Sequence, residues 1–294
     1  MDGDLLYLNT CNGVDNTHRR IRRPDAATLI AVDKRTGRLL AQDTERIGPR
    51  IVHCQWSSPA LGMLAGRPPI VLGGADAVVR VFEPLERLSA DREASATLRC
   101  VGRLDLDPGT VKANACEWNG RREAGGPSTI KGMAVLVDGR IYVAVGGDRW
   151  WGKREAWVVC IDAEPVGVEV RLRERWRRPL VRHCMSTPAV RDGLVFIPDS
   201  GGKLHCFDAG DGTPRWTMEL SSEVSGSPLC ADGRVFIGTH RGRLHTLRAA
   251  AALEVLGDAL LEGGAIWGSP AAANGRLYVA THRRLYAVAG DRRE

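Results

Sequence analysis

Three stretches near the C-terminal end repeat one pattern, and their spacing limits the chain to few architectures. STPAVRDGLVFIPDSGGKLHCFD begins at Ser186, GSPLCADGRVFIGTHRGRLHTLR at Gly226 and GSPAAANGRLYVATHRRLYAVA at Gly268. Their prolines, Pro188, Pro228 and Pro270, recur about every 40 residues, enough chain for four short strands and their turns. Inside the repeats, two apolar runs flank Asp138-Gly139, Asp192-Gly193, Asp232-Gly233 or Asn274-Gly275. Such pairs tolerate the positive φ angles of a two-residue hairpin turn. The rhythm therefore predicts an all-β fold, a β-propeller of four-stranded antiparallel blades.

Looser copies precede these. SSPALGMLAGRPPIVLGGADAVVRVFE begins at Ser57, and KGMAVLVDGRIYVAVGGD at Lys131 carries Met133 in place of the proline. The first copy opens as DGDLLYLNT and continues to TLIAVDKRTGRLL, without a first strand. About six modules follow, at 1–45, 54–100, 128–178, 184–220, 224–256 and 266–290, with an insertion at 85–127, all in one domain, 1–294. A start inside one module and an end inside another predict an incomplete ring and a chain truncated at its N-terminus.

Composition removes several function classes. No run approaches the roughly 18 apolar residues that span a membrane, and the N-terminus lacks the basic and apolar stretches of a signal peptide. The eight cysteines form no C-x-x-C pair, which argues against a zinc ribbon or a thioredoxin-like site. The formal charge of +6 invites a nucleic-acid reading. The arginines are scattered, however, except at Arg171, Arg173, Arg175, Arg177 and Arg178, which alternate as the wet face of a strand would. Nucleic acid is therefore not expected as a partner.

CFDAGDGTPRW, with small Cys206, turn-closing Gly212 and Trp216, resembles the tryptophan-docking motif of pyrroloquinoline-quinone-type propellers, whose indole wedges between blades. The copy at Ala31 keeps Gly37 but has Ala41 for the tryptophan. HCQWSSPA, RIYVAVGGD and HCMSTPAV also resemble bacterial propellers with such repeats. The resemblance implies an exported, periplasmic protein and two functional alternatives. One is a quinoprotein dehydrogenase that oxidises an alcohol or sugar with pyrroloquinoline quinone and calcium. This sequence lacks the adjacent cysteine pair that the alcohol dehydrogenases of that group carry. The other, preferred for want of any acid, base or nucleophile group, is a non-catalytic propeller that binds a protein, a small molecule or a glycan.

Strands a and b of a blade are antiparallel, so the d–a and b–c loops share one face. The long departures, Asn9 to Ala27 and Gly146 to Ala156, are b–c loops, and much of the segment from Leu85 to Ser128 is assigned to the d–a side. Loops on a rigid scaffold carry binding residues, which nominates His53, Gln55, Trp56, Arg182, His183 and Trp267 leading into strand a. Leaving strand b are Asp76, Asp148, Trp150, Asp199, His240 and His282, with His18 and Trp151 nearby. Asn12, Asp15 and Asn16 form a weak set of oxygen donors for a metal. No catalytic residue is nominated. His205 and His245 read as packing, Cys160 and Cys206 as core, and Asp33, Glu83, Asp162 and Asp208 as turn-makers after strand c. An open ring leaves an apolar face wet, so the chain alone should self-associate on size-exclusion chromatography; a sharp monomeric peak with cooperative melting would contradict this.

Overall fold

Asp138, Asp192, Asp232 and Asn274 take φ angles of 50°, 49°, 50° and 51°, and the glycines after them 72°, 74°, 65° and 70°. Two successive left-handed residues make the type I′ turn, whose twist matches that of the strands it joins. Ala65 and Gly66, at 48° and 79°, make a similar turn without a side chain that would announce it. These turns set the hairpin register, pairing Val137 with Arg140, Arg191 with Leu194, Ala231 with Arg234 and Ala273 with Arg276.

A computed structural model describes residues 3–85, 96–118 and 120–290. The chain packs as two compact units, 1–177 and 178–294. In the first unit, sheet 1 holds β1 (Leu5–Asn9), β2 (Leu29–Asp33) and β3 (Leu39–Gln42). Sheet 2 holds β4 (Ala60–Leu61), β5 (Ile70–Gly73), β6 (Val78–Phe82) and β8 (Cys100–Asp105), while β7 (Ala96–Thr97) joins the outer edge of β3 in parallel. Sheet 3 holds β9 (Val135–Val137), β10 (Arg140–Gly146), β11 (Ala156–Val166) and β12 (Glu169–Leu180), the last running across the unit boundary.

In the second unit, sheet 4 holds β13 (Ala189–Arg191), β14 (Leu194–Pro198), β15 (Lys203–Asp208) and β16 (Pro214–Glu219). Sheet 5 holds β17 (Leu229–Ala231), β18 (Arg234–Gly238), β19 (Arg243–Arg248) and β20 (Val255–Leu260). Sheet 6 has three strands, β21 (Ala271–Ala273), β22 (Arg276–Ala280) and β23 (Leu285–Ala289).

The inner strands bury both faces, so they read as continuous apolar runs rather than alternating ones. In β5, Ile70 and Leu72 pack with Leu29 and Ala31 of sheet 1, while Val71 packs with Ile141 and Val159 of sheet 3. Side chains that alternate along one strand thus serve two interfaces. The 85–127 segment does not collect on one side. Residues 83–99 connect strands c and d of sheet 2, and 106–134 connect that strand d to strand a of sheet 3; residues 86–95 of the expected insertion lie outside the described residues.

Within the second unit, Trp216 of β16 lies opposite Cys206 and tilts against Phe196 at 5.8 Å. Its indole N–H donates to the carbonyl of Ala250 in sheet 5 at 3.0 Å, and the ring packs against the same core cluster as Cys230 and Ala249. Gly212, at φ 74°, closes the preceding turn by donating to the Asp208 carbonyl. Sheet 3 has a related ring that the motif search missed: Trp176 of β12 packs on Tyr142, which faces Cys160 as Phe196 faces Cys206. Replacing the half-buried Trp216 by alanine empties the wedge and should cost about 2 kcal/mol, somewhat less than truncating a fully buried ring, measured by urea unfolding.

Candidate functional site

The lead-in to strand a places one side chain at the same offset in every sheet that has that strand. Trp56, Lys131, Met185, Ser225 and Trp267 each stand four residues ahead of Ala60, Val135, Ala189, Leu229 and Ala271. The residue just before each points inward instead. Ile130, Val224 and Ile266 are buried core, Cys184 is buried, and Gln55 is spent on the backbone. Its amide donates to Gly73 O at 2.5 Å and accepts from Ala75 N–H at 2.8 Å, so Gln55 positions the b–c turn of sheet 2.

In the first unit the loops that leave strand b meet these lead-ins. The His18 and His53 rings stack with centroids 4.8 Å apart and Nδ1 of one 2.5 Å from Nε2 of the other. His53 also stacks near Trp56 at 6.2 Å and Trp151 at 5.3 Å, and Trp150 lies 6.2 Å from Trp151. Beneath them is a buried ion pair between Lys131 and Asp148, which sequence reasoning had only half identified. The Lys131 ammonium lies 5.5 Å from the Trp56 ring and 4.7 Å from that of Trp151, within cation–π range. Asp148 further accepts the Trp150 N–H at 2.8 Å, which fixes the loop carrying both indoles.

The second unit gathers His240, Trp267 and His282 in the same way. Trp267 lies 3.9 Å from His240 and 5.7 Å from His282, centroid to centroid. His240 is held by Ser225 at 2.9 Å, and His183 by Ser200 at 2.9 Å. The Arg182 side chain lies beside Gly201 of the b–c turn, apart from this stack.

Other nominated residues are engaged in the framework. Asp76 receives both terminal nitrogens of buried Arg80, at 2.9 and 2.7 Å, and lies 3.1 Å from Arg50. Burial alone would raise its pKa, but the guanidinium beside it holds the carboxyl below the usual range. Asp199 is also buried yet held low, here by His205 at 3.0 Å and by the Val181 and Gly201 amides. Asn12 bonds to the carbonyls of Arg23 and Ala26 and accepts from Thr28, and Asp15 accepts from Thr17 and the Arg19 amide; both organise their own loop.

Two of the four expected turn-makers act otherwise. Asp33 and Asp208 accept backbone N–H bonds from the following turn, whereas Glu83 pairs with Arg99 and Asp162 with Arg175. The long β11–β12 hairpin brings arginines of one strand over acids of the other, a juxtaposition that spacing along the sequence does not display.

Burial pushes the thiols of Cys54, with Cys11 beside it, and of Cys184 up to about 12, far from thiolate formation at neutral pH. The carboxylates do not fit a calcium–quinone centre, because Asp76, Asp148 and Asp199 are each taken up by Arg80, Lys131 and His205. Among the described residues no three His, Cys, Asp or Glu side chains gather as metal ligands.

A sequence profile described as outer membrane protein assembly factor BamB matches residues 154–255. The solved structure of BamB from Moraxella catarrhalis superposes with a TM-score of 0.60 at 15% identity, over 88% of this chain and 65% of that one. The chain thus spans just under two thirds of that protein's length. A computationally designed protein, Ika8, matches over 90% of this chain and 78% of its own at 12% identity and TM-score 0.45. A quinohemoprotein alcohol dehydrogenase from Pseudomonas putida HK5 matches over 50% of this chain and 27% of its own, at 20% identity and TM-score 0.36. No curated protein sequence matches. The fold is a β-propeller whose sheets have three or four strands, antiparallel except for β7. Residues 154–255 carry the repeat pattern of that family, and the wider likeness is one of fold.

Burial lowers the pKa of His53 and of His245, whose ring nitrogens make no hydrogen bond among the described residues. The unfolded chain, with histidines near 6.5, therefore takes up protons first as the pH falls, so this stability is present above about 6.5 and lost below it. Tm should drop between about pH 7 and pH 5.5, and His245→Leu should flatten that drop.

Proposed function

We propose that this chain is a non-catalytic, protein-binding propeller that makes contact through two clusters of tryptophans and histidines at the lead-ins to strand a, one in each unit. The observation that carries the reading is the combination of exposed indoles with internally paired charges. Trp56, Trp150 and Trp267 are 48%, 61% and 50% exposed, while Lys131 and Asp148 neutralise each other below the first two. Rigid aromatic rings, here with the Arg149 guanidinium 5.5 Å from the Trp150 ring, are what protein interfaces place at their energetic centres, where Trp and Arg are enriched. Support for a protein partner, and for an exported location, comes from the family whose description names outer membrane protein assembly. The b–c loops 10–28 and 147–155 supply His18, Trp150 and Trp151, which supports a working surface on the d–a and b–c loop side. Of the nominated ligands, His53, Trp56, Trp150, His240, Trp267 and His282 face the partner; Gln55, Asp76, Asp148 and Asp199 hold the loops.

A photo-reactive amino acid at Arg154, in the same loop as Trp150, should give a discrete protein adduct in cells of the native host. Trp56→Ala with Trp150→Ala should reduce that adduct about tenfold or more, the effect of losing ~1.4 kcal/mol or more of binding. An adduct insensitive to both substitutions would remove the first unit's cluster from the interface. Tryptophan quenching by pyrroloquinoline quinone with Ca²⁺, together with dye-linked alcohol or sugar oxidation, would replace this reading with the dehydrogenase one.

A further inference from the structure

One position in the second unit lacks the wedge that its neighbour has. In sheet 4 the order across the ladder is Phe196, Cys206, Trp216, with the indole bonded to the Ala250 carbonyl of sheet 5 and packed against the same core cluster as Cys230 and Ala249. In sheet 5 the same register places Phe236 opposite Thr246, and Thr246 opposite Gly257. Ala272 and Gly290 of sheet 6 stand where Cys230 and Ala249 stand one sheet earlier, since Ala272 pairs with Leu277 as Cys230 pairs with Val235. The wall residues are kept in kind while the indole is gone.

The consequence is open space. A Cβ added at Gly257 would meet only the Thr246 Cβ, at 3.8 Å. A cleft of about 620 Å³ borders Thr246, the ladder partner of Gly257, and is lined also by Phe236, Ala272, Leu277, Val288 and Gly290. Phe196 and Cys206, under their indole, are fully buried, whereas Phe236 and Thr246 are only partly buried. A glycine at this place does not by itself open a cleft. In sheet 2, Gly102 lies opposite Val81 in the same register, and a Cβ there would strike the Val170 carbonyl of sheet 3 at 2.5 Å. Sheet 3 has closed onto Gly102; sheet 6 leaves the space beside Gly257 free.

We propose that this cleft is a binding site for a small planar heteroaromatic molecule of indole size, seated where Trp216 sits one sheet earlier. The walls supply a phenyl ring on one side and the flat, small-residue surface of a sheet on the other, the setting in which the protein already holds an indole. The volume lies within the usual range of small-molecule sites, roughly 300–1,000 Å³. Asp232, Arg234 and Asn274 stand at the polar margin of the cleft and can meet a ring substituent. The proposal is independent of the protein-binding clusters, which use other residues.

The test is ¹⁹F NMR of 5-fluoroindole titrated with the protein. Saturable broadening or a shift of the fluorine line is expected, and Gly257→Trp, which supplies the missing wedge, should weaken it at least about tenfold and raise Tm. Gly257 has no left-handed backbone angle that a side chain would strain. Should that variant fail to fold, Ala272→Leu narrows the same cleft from the opposite wall and should weaken binding in the same direction. Absence of a saturable signal, or binding unchanged in the folded variants, overturns the proposal. Tighter binding of an Ala-Trp-Ala tripeptide than of the free ring would overturn its small-molecule form.

Discussion

An inner strand that is apolar on both faces needs a neighbour on each side. Every residue of Ile70–Gly73 and of Leu194–Pro198 is buried, so the sheets that contain them cannot be stable singly in water. Stacking of sheet on sheet follows from this, and so does the flatness of the contact. Small residues recur where strands face each other across an interface, and a large ring is admitted only where its counterpart surface is small enough to receive it.

The docking positions show how that constraint is met in different ways. Trp216 spans the gap to Ala250 with a ring and a hydrogen bond. Gly102 takes the opposite solution, letting the Val170 backbone approach directly. Gly257 has neither ring nor close backbone, and a cleft remains. Exposed Leu285 and Val288 of sheet 6, at 71% and 48%, belong to the same region of incompletely covered surface.

Because the strands are occupied with stacking, recognition falls to the connections. The repeat delivers one side chain per sheet to the lead-in of strand a, and substitution at that single offset changes a scaffold residue such as Ser225 into Trp56, Lys131 or Trp267. The long loop between β10 and β11 then adds Trp150 and Trp151, held by Asp148. Ion pairs in the first unit stabilise this arrangement from below rather than display charge. Arg80, Asp76 and Glu45 form a buried network, and the arginines of β12 are answered by Asp162, Glu164 and Glu174.

Local chemistry was legible in the sequence because it depends on neighbours along the chain. The Asp-Gly and Asn-Gly turns and the wedge motif at Trp216 are set by residues a few positions apart, and the forty-residue rhythm by the return of those short patterns along the chain. The place of the histidines and tryptophans at loop ends was legible for the same reason. Which of them would touch was not. Lys131 under Trp56 and Trp151, Asp76 claimed by Arg80, Asp199 claimed by His205, and Trp176 against Tyr142 are contacts between strands or loops that the repeat brings together in space. Their partners depend on how loops of unequal length fold over one another, and a pattern read along one strand carries no information about that.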